Sequence, residues 1–401
     1  MTVEPALRDE EMVQTLKGVR VIEQGTFITG PVAGMLLGDL GADVIKVEQP
    51  VTGDPFRADK GGLYSARYQA YNRNKRSIAL NTKTAVDLEI FDDLISSADV
   101  YIQNFRPGTA EKLGAGEDRL RKLNSKLIYC SISGFGATGP GSKRPSYDTV
   151  AQAASGFLHL MINPDKPRVV GPAIADAMTG FYAAYGVLGA LHERNRTGVG
   201  RKVEVSMLEA MCHFNSESFA HYFSDGEVTG PYTRPRASQA HVMKCSDGKW
   251  IALHMSSPDK FWQSLVQAIE RPALFEDPRF TDWHARIANQ DDLIVVLREV
   301  FKQRPRDEWC RRLEERDVPY ASVYDSSEAL EDPQAKHLQI EVHAQHPTMG
   351  EFRTVRCPIT YDGERSLSLI APPTLDQHRE EILRGLGRSV HKTETTSPAA
   401  K

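Results

Sequence analysis

The chain has 401 residues with 49 lysines and arginines against 53 aspartates and glutamates, so a net charge of −4 excludes a broadly basic nucleic-acid surface. The length predicts two domains, or one large domain with an insertion. The five cysteines show no C-x-x-C spacing, which argues against a disulfide framework and for a reducing compartment. The polar N-terminus is unlike a signal peptide, and the longest apolar stretch, residues 180–191, is too short and glycine-rich to span a bilayer. We therefore expect a cytoplasmic protein without a membrane partner.

The first predicted elements form a β–turn–α–β unit. Residues 18–23 and 43–48 have the pattern of strands, and a glycine-bounded turn leads into a helix between them, with Pro31 expected at its first position. This order predicts a right-handed crossover and a parallel sheet. Glu48 ends the second strand where a dinucleotide fold would place its ribose-binding acid. The intervening glycines lack G-x-G-x-x-G spacing, however, which disfavours an NAD site.

A short basic cluster, Asn72-Arg73-Asn74-Lys75-Arg76, comes next. Such clusters usually form solvated surface, and the functional alternative is a phosphate site. The turn Phe105–Gly108 follows a predicted strand at the sheet edge where ligands of open α/β sheets collect. The elements predicted in this region are helices at 84–98, 109–124 and 149–160, and strands at 77–80, 99–104 and 127–133.

Asp176 stands before a run of small and apolar residues, 177–191, which predicts a buried helix. Composition alone favours an N-cap role for this aspartate, because its side chain can accept otherwise unpaired backbone N–H groups. The alternative is a nucleophilic carboxylate, stabilised by the helix terminus and flanked by N–H groups that are free to bind an oxyanion.

The second half of the chain changes character near residue 223. A glycine- and proline-rich linker opens a small α+β domain, 223–335, with a hairpin around Ser246-Asp247-Gly248. Residues 336–388 then return to the large domain begun by 1–222, and 389–401 are expected to be disordered. His343 and His346 should not converge on a metal, and no serine has nucleophile-elbow surroundings, so neither a metal site nor a hydrolase triad is predicted.

Over residues 16–388 the chain resembles the class III CoA-transferases, the CaiB/BaiF family, which includes formyl-CoA transferase and the carnitine CoA-transferases. The motifs that carry the resemblance are Gly30-Pro31, Gly38-Asp39-Leu40-Gly41-Ala42-Asp43-Val44-Ile45-Lys46-Val47-Glu48, Asn74-Lys75-Arg76-Ser77, Asn104-Phe105-Arg106-Pro107-Gly108, Ser133-Gly134-Phe135-Gly136, Tyr147-Asp148, the Asp176 segment and Thr197-Gly198-Val199-Gly200-Arg201.

The resemblance implies that Asp176 attacks an acyl-CoA thioester to form an aspartyl–acyl anhydride. CoA thiolate would then give an aspartyl-CoA thioester, and the acceptor acid would take CoA through a second anhydride. Acyl-CoA and a carboxylic acid are thus the expected partners, with no permanently bound cofactor and no metal. The implied CoA contacts, with the cations on phosphates, are Phe27, Ile28, Leu80, Asn81, Thr82, Lys83, Asn104, Phe105, Arg106, Lys112, Arg144 and Tyr147.

The implied fold is α/β: a Rossmann-like parallel-sheet large domain built from both chain ends, an inserted smaller α+β domain, and an interlocked homodimer. This chain departs from formyl-CoA transferase at Ile28 and Gln49, where that enzyme has glutamine and arginine. A glycine-rich lid is also missing near Ser238-Gln239-Ala240. These departures favour a carnitine-like or other larger acyl acid over formate and oxalate.

Two alternatives remain beside a transferase: an acyl-CoA racemase of the same fold and an inactive CoA-binding paralogue. Racemases of this family have Gly-His-Asp where this chain has Ser146-Tyr147-Asp148. Histidine can give and take a proton near neutral pH, whereas tyrosine has an ordinary pKa of about 10. Tyr147 therefore favours the transferase, unless it only packs beside Phe157.

Overall fold

The computed structural model describes residues 14–59, 63–256, 259–365 and 369–389. All but the first residue of the tail predicted to be disordered, 389–401, lies outside the described residues. The eleven strands in the described residues are β1 (Arg20–Glu23), β2 (Asp43–Glu48), β3 (Lys75–Ala79), β4 (Val100–Gln103), β5 (Ile128–Ser133), β6 (Lys202–Ser206), β7 (Ala240–Lys244), β8 (Trp250–His254), β9 (Tyr320–Ser322), β10 (Glu341–His346) and β11 (Gly350–Val355).

Helices lie between most of these strands, except between β7 and β8 and between β10 and β11. The α-helices are α1 (Thr29–Asp39), α2 (Ala66–Tyr71), α3 (Ala85–Ser96), α4 (Thr109–Lys112), α5 (Glu117–Leu123), α6 (Asp148–Ala154), α7 (Phe157–Met161), α8 (Ile174–Thr197), α9 (Met207–Phe214), α10 (Ser216–Asp225), α11 (Thr233–Ala237), α12 (Lys260–Ala268), α13 (Trp283–Ala288), α14 (Gln290–Phe301), α15 (Arg306–Glu314), α16 (Ser326–Glu331), α17 (Pro333–His337) and α18 (Arg379–Gly385). Short 3₁₀ helices occupy Pro55–Ala58 and Pro272–Phe275.

The chain divides into two compact units. The first contains the residues up to Phe157, Gly171–Asn215 and the residues from Glu341 on, and the second contains Leu158–Val170 and Ser216–Ile340. Residues 158–170, 216–222 and 336–340, which sequence analysis assigned to the large domain, therefore cluster with the second unit.

The first unit is built on a six-stranded parallel sheet in the order β3-β2-β1-β4-β5-β6. This is the doubly wound arrangement, so the predicted Rossmann-like parallel sheet is confirmed. The strand order reverses between β1 and β4. Ligands of such sheets bind outside the carboxyl ends of the strands at this reversal, and the functional site is expected there.

Two predicted helices are broken at glycines. The helix predicted over 109–124 divides into α4 and α5 around Gly114, and the one over 149–160 divides into α6 and α7 at Gly156. Both glycines have positive φ, 74° and 79°, which a right-handed helix cannot accommodate. Apolar periodicity continues across each break, which is why the pattern suggested one helix.

The helix that contains Asp176, α8, packs very closely on α1 and lies against the sheet. A Cβ at Gly180 would lie 2.6 Å from the Thr29 carbonyl oxygen and 2.7 Å from the Val32 Cβ, so only glycine permits this approach. Helix α8, with 24 residues, is long and apolar enough to cross a membrane. The sequence analysis considered only its residues 180–191, which are too few to do so. The buried positions of α8, including Ala183, Ala184 and Val187, belong to the sheet's core cluster, as expected for a core helix.

The second unit contains a three-stranded antiparallel sheet in the order β7-β8-β9. The predicted hairpin around Ser246–Gly248 is confirmed, because β7 and β8 pair on either side of it. One face of this sheet packs with helices around a core that includes Trp262, Phe301 and Trp309.

Candidate active site

Two adjoining cavities open at the carboxyl ends of β1 and β4. The Asp176 cavity, about 340 Å³, is lined by Thr26, Phe27, Ile28, Thr29, Asn104, Phe105, Arg106, Pro107, Thr109, Ile132, Ser133, Gly134, Ser142, Arg144, Ser146, Tyr147, Asp176 and Met207. The outer cavity, about 430 Å³, includes Leu80–Lys83 in its wall. Thr26 and Phe105 line both, so the two cavities are neighbours at this edge of the sheet.

The structure brings together most of the residues that the resemblance singled out. Seven of the implied CoA contacts, Phe27, Ile28, Asn104, Phe105, Arg106, Arg144 and Tyr147, line the Asp176 cavity. Leu80, Asn81, Thr82 and Lys83 line the outer cavity. Lys112 is exposed at the end of α4 and lines neither.

Asp176 is the third residue of α8 and does not cap it. The cap position is Ala173, and Asp148 from α6 supplies the acceptor: its Oδ1 accepts hydrogen bonds from the backbone N–H of Ala175 at 2.8 Å and of Asp176 at 3.3 Å. The N-cap interpretation of Asp176 is therefore wrong. Within the described residues, the Asp176 carboxylate accepts no hydrogen bond, and it borders the cavity.

The expected free N–H groups at this helix terminus are also absent from the described first turn. Besides the two that donate to Asp148, Ile174 N–H donates to the Pro172 carbonyl at 2.8 Å and Ala177 N–H to the Ala173 carbonyl at 3.1 Å. These four N–H groups are therefore not free to bind an oxyanion, because they are already used within the protein.

Burial raises the pKa of Asp176 to about 7, and the charge of Asp148 adds to this effect. The dipole of α8 favours the charged form and opposes both causes. Near neutral pH this carboxylate thus exists in both protonation states. The pKa of Tyr71 is raised by burial and then by Asp176, which makes this α2 residue an electrostatic neighbour that sequence analysis missed.

If ionised Asp176 is the reactive species, kcat/KM for an acyl-CoA should rise with pH through about 7. Asp148→Asn keeps an oxygen acceptor for the α8 amides and removes the charge. It should move the midpoint of the pH–rate profile down, and part of the upward shift should persist because burial is its larger cause. A pH–rate profile checks this. Asp165→Asn, at an exposed position, should leave the midpoint unchanged, and an unchanged midpoint in Asp148→Asn would contradict the coupling.

The loop after β1 is clamped by Asn104 at the end of β4. Its Oδ1 accepts from Thr26 N–H at 2.9 Å, and its Nδ2 donates to the Thr26 carbonyl at 2.7 Å and to Thr29 Oγ1 at 2.8 Å. Gly25 and Gly30 make the loop tight, because a Cβ on Gly25 would lie 2.9 Å from the Gly30 Cα. The amide of Asn104 thus holds one wall of the Asp176 cavity.

Phe27 gives this loop its aromatic surface. It adopts a positive φ of 62°, its N–H donates to Asp54 Oδ1 at 3.3 Å, and its ring meets that of Tyr147 edge-on at 6.1 Å. The alternative in which Tyr147 packs beside Phe157 is wrong, since the ring of Phe157 instead contacts that of Phe214.

A fully buried charge cluster lies beneath the loop. Glu23 forms ion pairs with Lys46 at 2.8 Å and with Lys75 at 2.6 Å, and Lys46 also lies 3.1 Å from Asp54 Oδ2. Burial opposes the charge of Glu23, but the two lysines outweigh it and hold the pKa of that carboxyl below its ordinary value. Burial lowers the pKa of Lys75 to about 8. Through Asp54, this cluster supports the backbone of Phe27.

The basic cluster at 72–76 is neither solvated surface nor a phosphate site. Its cations are paired within the first unit: Arg73 with Asp39 at 2.6 Å, Lys75 with Glu23 at 2.6 Å, and Arg76 with Asp43 at 2.6 Å and Glu381 at 2.9 Å. Opposite charges on β1, β2, α1 and α18 became visible only in the fold. A guanidinium already paired with a carboxylate has little left for a phosphate.

Glu48 is likewise committed within the protein. It is paired with Arg57 at 2.7 Å, and it accepts from Ser77 Oγ at 2.7 Å and from Asp54 N–H at 3.0 Å. This arrangement offers no free carboxylate for a ribose. In the described parts of the chain, no group of three His, Cys, Asp or Glu residues is placed to hold a metal ion.

Comparison with known proteins identifies the family. Residues 16–379 match the profile of CoA-transferase family III. The chain belongs to this family. It is 31% identical to human (Homo sapiens) succinyl-CoA:glutarate CoA-transferase over 94% of this chain and 87% of the relative, and 32% identical to the succinyl-CoA–D-citramalate CoA-transferase of Chloroflexus aurantiacus over 92% and 94%.

A solved structure of a CaiB/BaiF family protein from Brucella suis superposes with a TM-score of 0.83, at 32% identity, over 92% of this chain and 99% of that one. The resemblance inferred from motifs is thereby confirmed for family and fold. Family III relatives named above are CoA-transferases. Asp148 belongs to the Tyr147-Asp148 motif that carried the resemblance, so the sequence did point to this residue. That Asp148 bonds to the amides at the start of α8 could not be inferred from the motif.

Proposed function

We propose that this family III protein transfers CoA from an acyl-CoA thioester to a free carboxylic acid, with Asp176 as the covalent nucleophile. The observation that carries the proposal is the Asp176 carboxylate itself. It borders a cavity at the sheet's reversal point, it accepts no hydrogen bond from the described residues, and its cap role is filled by Asp148. A carboxylate left unbonded in this way is available to react.

In the proposed sequence an Asp176 oxygen bonds to the thioester carbonyl carbon, and the carbon–sulfur bond breaks to release CoA thiolate. The thiolate then attacks the aspartyl carbonyl of the anhydride, which releases the donor acid and leaves an aspartyl-CoA thioester. The acceptor carboxylate attacks that thioester and expels the thiolate, which finally attacks the acceptor's carbonyl and restores Asp176. Each step exchanges carbonyl derivatives of similar energy, so no further co-reactant is needed.

CoA would extend from the Asp176 cavity into the outer cavity. Arg106 borders the first cavity and Lys83 the second, so each can offer a cation to a phosphate oxygen. Thr26 and Phe105, which line both cavities, would flank the passage between thioester and nucleotide.

We also propose that the protein is a homodimer. Helix α8 has two exposed aromatic residues one turn apart, Phe181 and Tyr185, which a second subunit would cover.

We further propose that the acid carries a second carboxylate, as glutarate and D-citramalate do, the acids for which the two relatives are named. Arg67 supports this. Its guanidinium lies 5.7 Å from the centre of the Phe56 ring, which packs edge-on against Phe27 in the cavity wall. The charges of Arg67 and Asp176 both act on Tyr71. Arg67 is 64% exposed, and the ion pair that it forms among the described residues, with Asp59, is long at 3.4 Å, so its donors are available to an anion.

One panel experiment tests the function. The protein is incubated with acyl-CoA donors and with acids of one or two carboxylates, and CoA exchange is followed by mass spectrometry. In parallel, a 2-methylacyl-CoA is incubated in deuterated water. We expect CoA transfer without deuterium uptake at C2. Deuterium uptake without CoA transfer would assign the protein as a racemase. The absence of both reactions would assign it as a non-catalytic CoA-binding protein.

The same panel tests Arg67. Arg67→Gln should raise the KM for diacids about tenfold while leaving monoacids nearly unchanged, because one charge-assisted contact is lost. Arg384→Gln is the matched control: its guanidinium is similarly exposed, 66%, and pairs with Glu380 at the same 3.4 Å. Neither arginine lines either of the two cavities, but Arg67 contacts the ring of Phe56 behind the cavity wall, whereas Arg384 lies on α18. Equal losses for monoacids and diacids would contradict the diacid assignment and leave CoA transfer itself intact.

A further inference from the structure

Among the residues that line the Asp176 cavity, Ser146 has a hydroxyl that is both buried and without a hydrogen-bond partner in the described residues. The other two lining serines are bonded: Ser142 Oγ donates to the Gly139 carbonyl at 2.9 Å, and Ser133 Oγ accepts from Gly136 N–H at 3.0 Å. The lining hydroxyl of Tyr147 belongs to an exposed side chain. Leaving a buried polar group unpaired costs about 1–3 kcal/mol of folding stability. A hydrogen bond from the Ser146 hydroxyl to a bound ligand would offset this cost.

The backbone holds this serine in a defined position. Ser146 packs on the turn after β5 so closely that a Cβ at Gly134 would lie 2.3 Å from the Ser146 Cβ. On its other side Tyr147 occupies the cap position of α6, and the next residue, Asp148, is bonded to the start of α8. Ser146 is thus held between the turn after β5 and the start of α6, whose first residue, Asp148, bonds to the start of α8.

Chemistry at Asp176 requires such a donor. Each nucleophilic attack on a thioester or anhydride carbonyl moves the carbonyl π electrons onto oxygen, and this oxyanion needs hydrogen-bond donors in a low-dielectric site. The described first-turn amides of α8 are already bonded to Asp148, Pro172 and Ala173. A donor from elsewhere in the cavity wall can supply this bond; Arg106, Arg144, Ser146 and Tyr147 line that wall, and of these Ser146 has a buried hydroxyl that is unbonded within the described residues.

We propose that the Ser146 hydroxyl donates a hydrogen bond to the oxyanion formed at the carbonyl that Asp176 attacks. The inference rests on the proposed function of Asp176. As the aspartyl oxygen–carbon bond forms, the carbonyl oxygen gains a negative charge and accepts the Ser146 proton in a hydrogen bond without proton transfer. When the carbonyl re-forms, the carbon–sulfur bond breaks, the thiolate leaves and the hydrogen bond weakens. Ser146 is thereby a catalytic residue that acts on the reacting oxygen.

The test compares three serine variants in steady-state and single-turnover kinetics with the acyl-CoA and acid that the panel selects. Ser146→Ala should lower kcat by about 10²-fold, the usual effect of losing one oxyanion donor, with KM changed less than about twofold. Ser146→Thr, which keeps the hydroxyl, should recover part of the rate. Ser96→Ala on α3 is the control: its exposed hydroxyl is bonded to the Asp92 carbonyl at 2.8 Å, it lines neither cavity, and this variant should leave kcat unchanged.

Trapping the aspartyl adduct separates this inference from the proposed function. In Ser146→Ala the adduct on Asp176 should still form, but its single-turnover rate should fall as kcat does. An unchanged kcat, or a higher KM with unchanged kcat, would overturn the role of Ser146 and assign its hydroxyl to ground-state binding or to none. If the wild-type protein gives no adduct on Asp176, the nucleophile is refuted instead. Ser146→Ala should unfold at the same temperature as the wild type or slightly higher, because it removes an unpaired buried hydroxyl.

Discussion

Asp176→Ala should lose CoA-transfer activity by about 10⁴–10⁶-fold in kcat, because removing a covalent nucleophile removes both the anhydride and the thioester intermediate. No other carboxylate lines the Asp176 cavity in the described residues, so none is placed to substitute for it. The wild-type protein, incubated with its acyl-CoA and quenched with hydroxylamine, should carry the modification on the peptide that contains Asp176. Full activity in Asp176→Ala, or a modified residue elsewhere, would refute the assignment.

Asp176→Asn provides a folding control with a predictable sign. Because the folded pKa of Asp176, about 7, lies above the ordinary 3.8, the folded protein holds this proton more tightly than the unfolded chain. The wild type therefore loses stability as pH rises between about 4 and 7, by about 2–4 kcal/mol. The amide introduced by Asp176→Asn carries no such charge, so this variant should be more stable than the wild type at pH 8 and similar to it near pH 4. Urea unfolding at the two pH values checks this, and an inactive but more stable variant excludes misfolding as the cause of inactivity.

Glu23→Gln should destabilise the protein by about 3–5 kcal/mol, the usual cost of removing one partner from a buried ion pair. Glu23 is fully buried between Lys46 and Lys75, and glutamine would leave both ammonium groups without their shared carboxylate. Lys46 would keep Asp54 as a partner, whereas no other carboxylate within salt-bridge distance of Lys75 appears among the described residues. We expect the loss in urea unfolding at pH 7.

The matched control is Glu204→Gln on β6. Glu204 also pairs with a lysine, Lys202 at 3.0 Å, but its side chain is half exposed. Solvent screens such a pair, so this variant should change stability by less than about 1 kcal/mol. Equal effects of the two substitutions would show that the buried cluster contributes no more than a surface ion pair, and that the wall beneath Phe27 does not depend on it.

Local patterns were sufficient for the elements of the sheet. β2 was predicted with its observed bounds, and β1, β4 and β5 within two residues, because a buried parallel strand is a short apolar run between turn residues. The hairpin β7–β8 followed from its turn residues in the same way. The glycines that divide 109–124 and 149–160 were present in the sequence, but their positive φ depends on the backbone path and not on residue identity alone.

The candidate site was predictable only in part. Motifs that resemble the family singled out Asp176, Arg106 and Tyr147, and the structure gathers all three around one cavity. What Asp176 does there could not be inferred locally, because an aspartate at a helix start is usually a cap. The residue that caps α8 is Asp148, 28 positions earlier in the chain. Only that long-range bond frees the Asp176 carboxylate and uses the amides that were expected to bind an oxyanion.

By itself, the sequence determined the family, the strand-and-helix order and the identity of the central carboxylate, because these depend on short-range patterns and motifs. The tertiary structure decided which charges are available. The cations at 73–76 appeared free in the sequence but are paired with Asp39, Glu23 and Asp43 from other elements. The hydroxyl of Ser146 is buried by the fold without a hydrogen-bond partner among the described residues. The reason is physical: hydrogen bonds and ion pairs form between neighbours in space, and only the fold makes residues distant in sequence into neighbours.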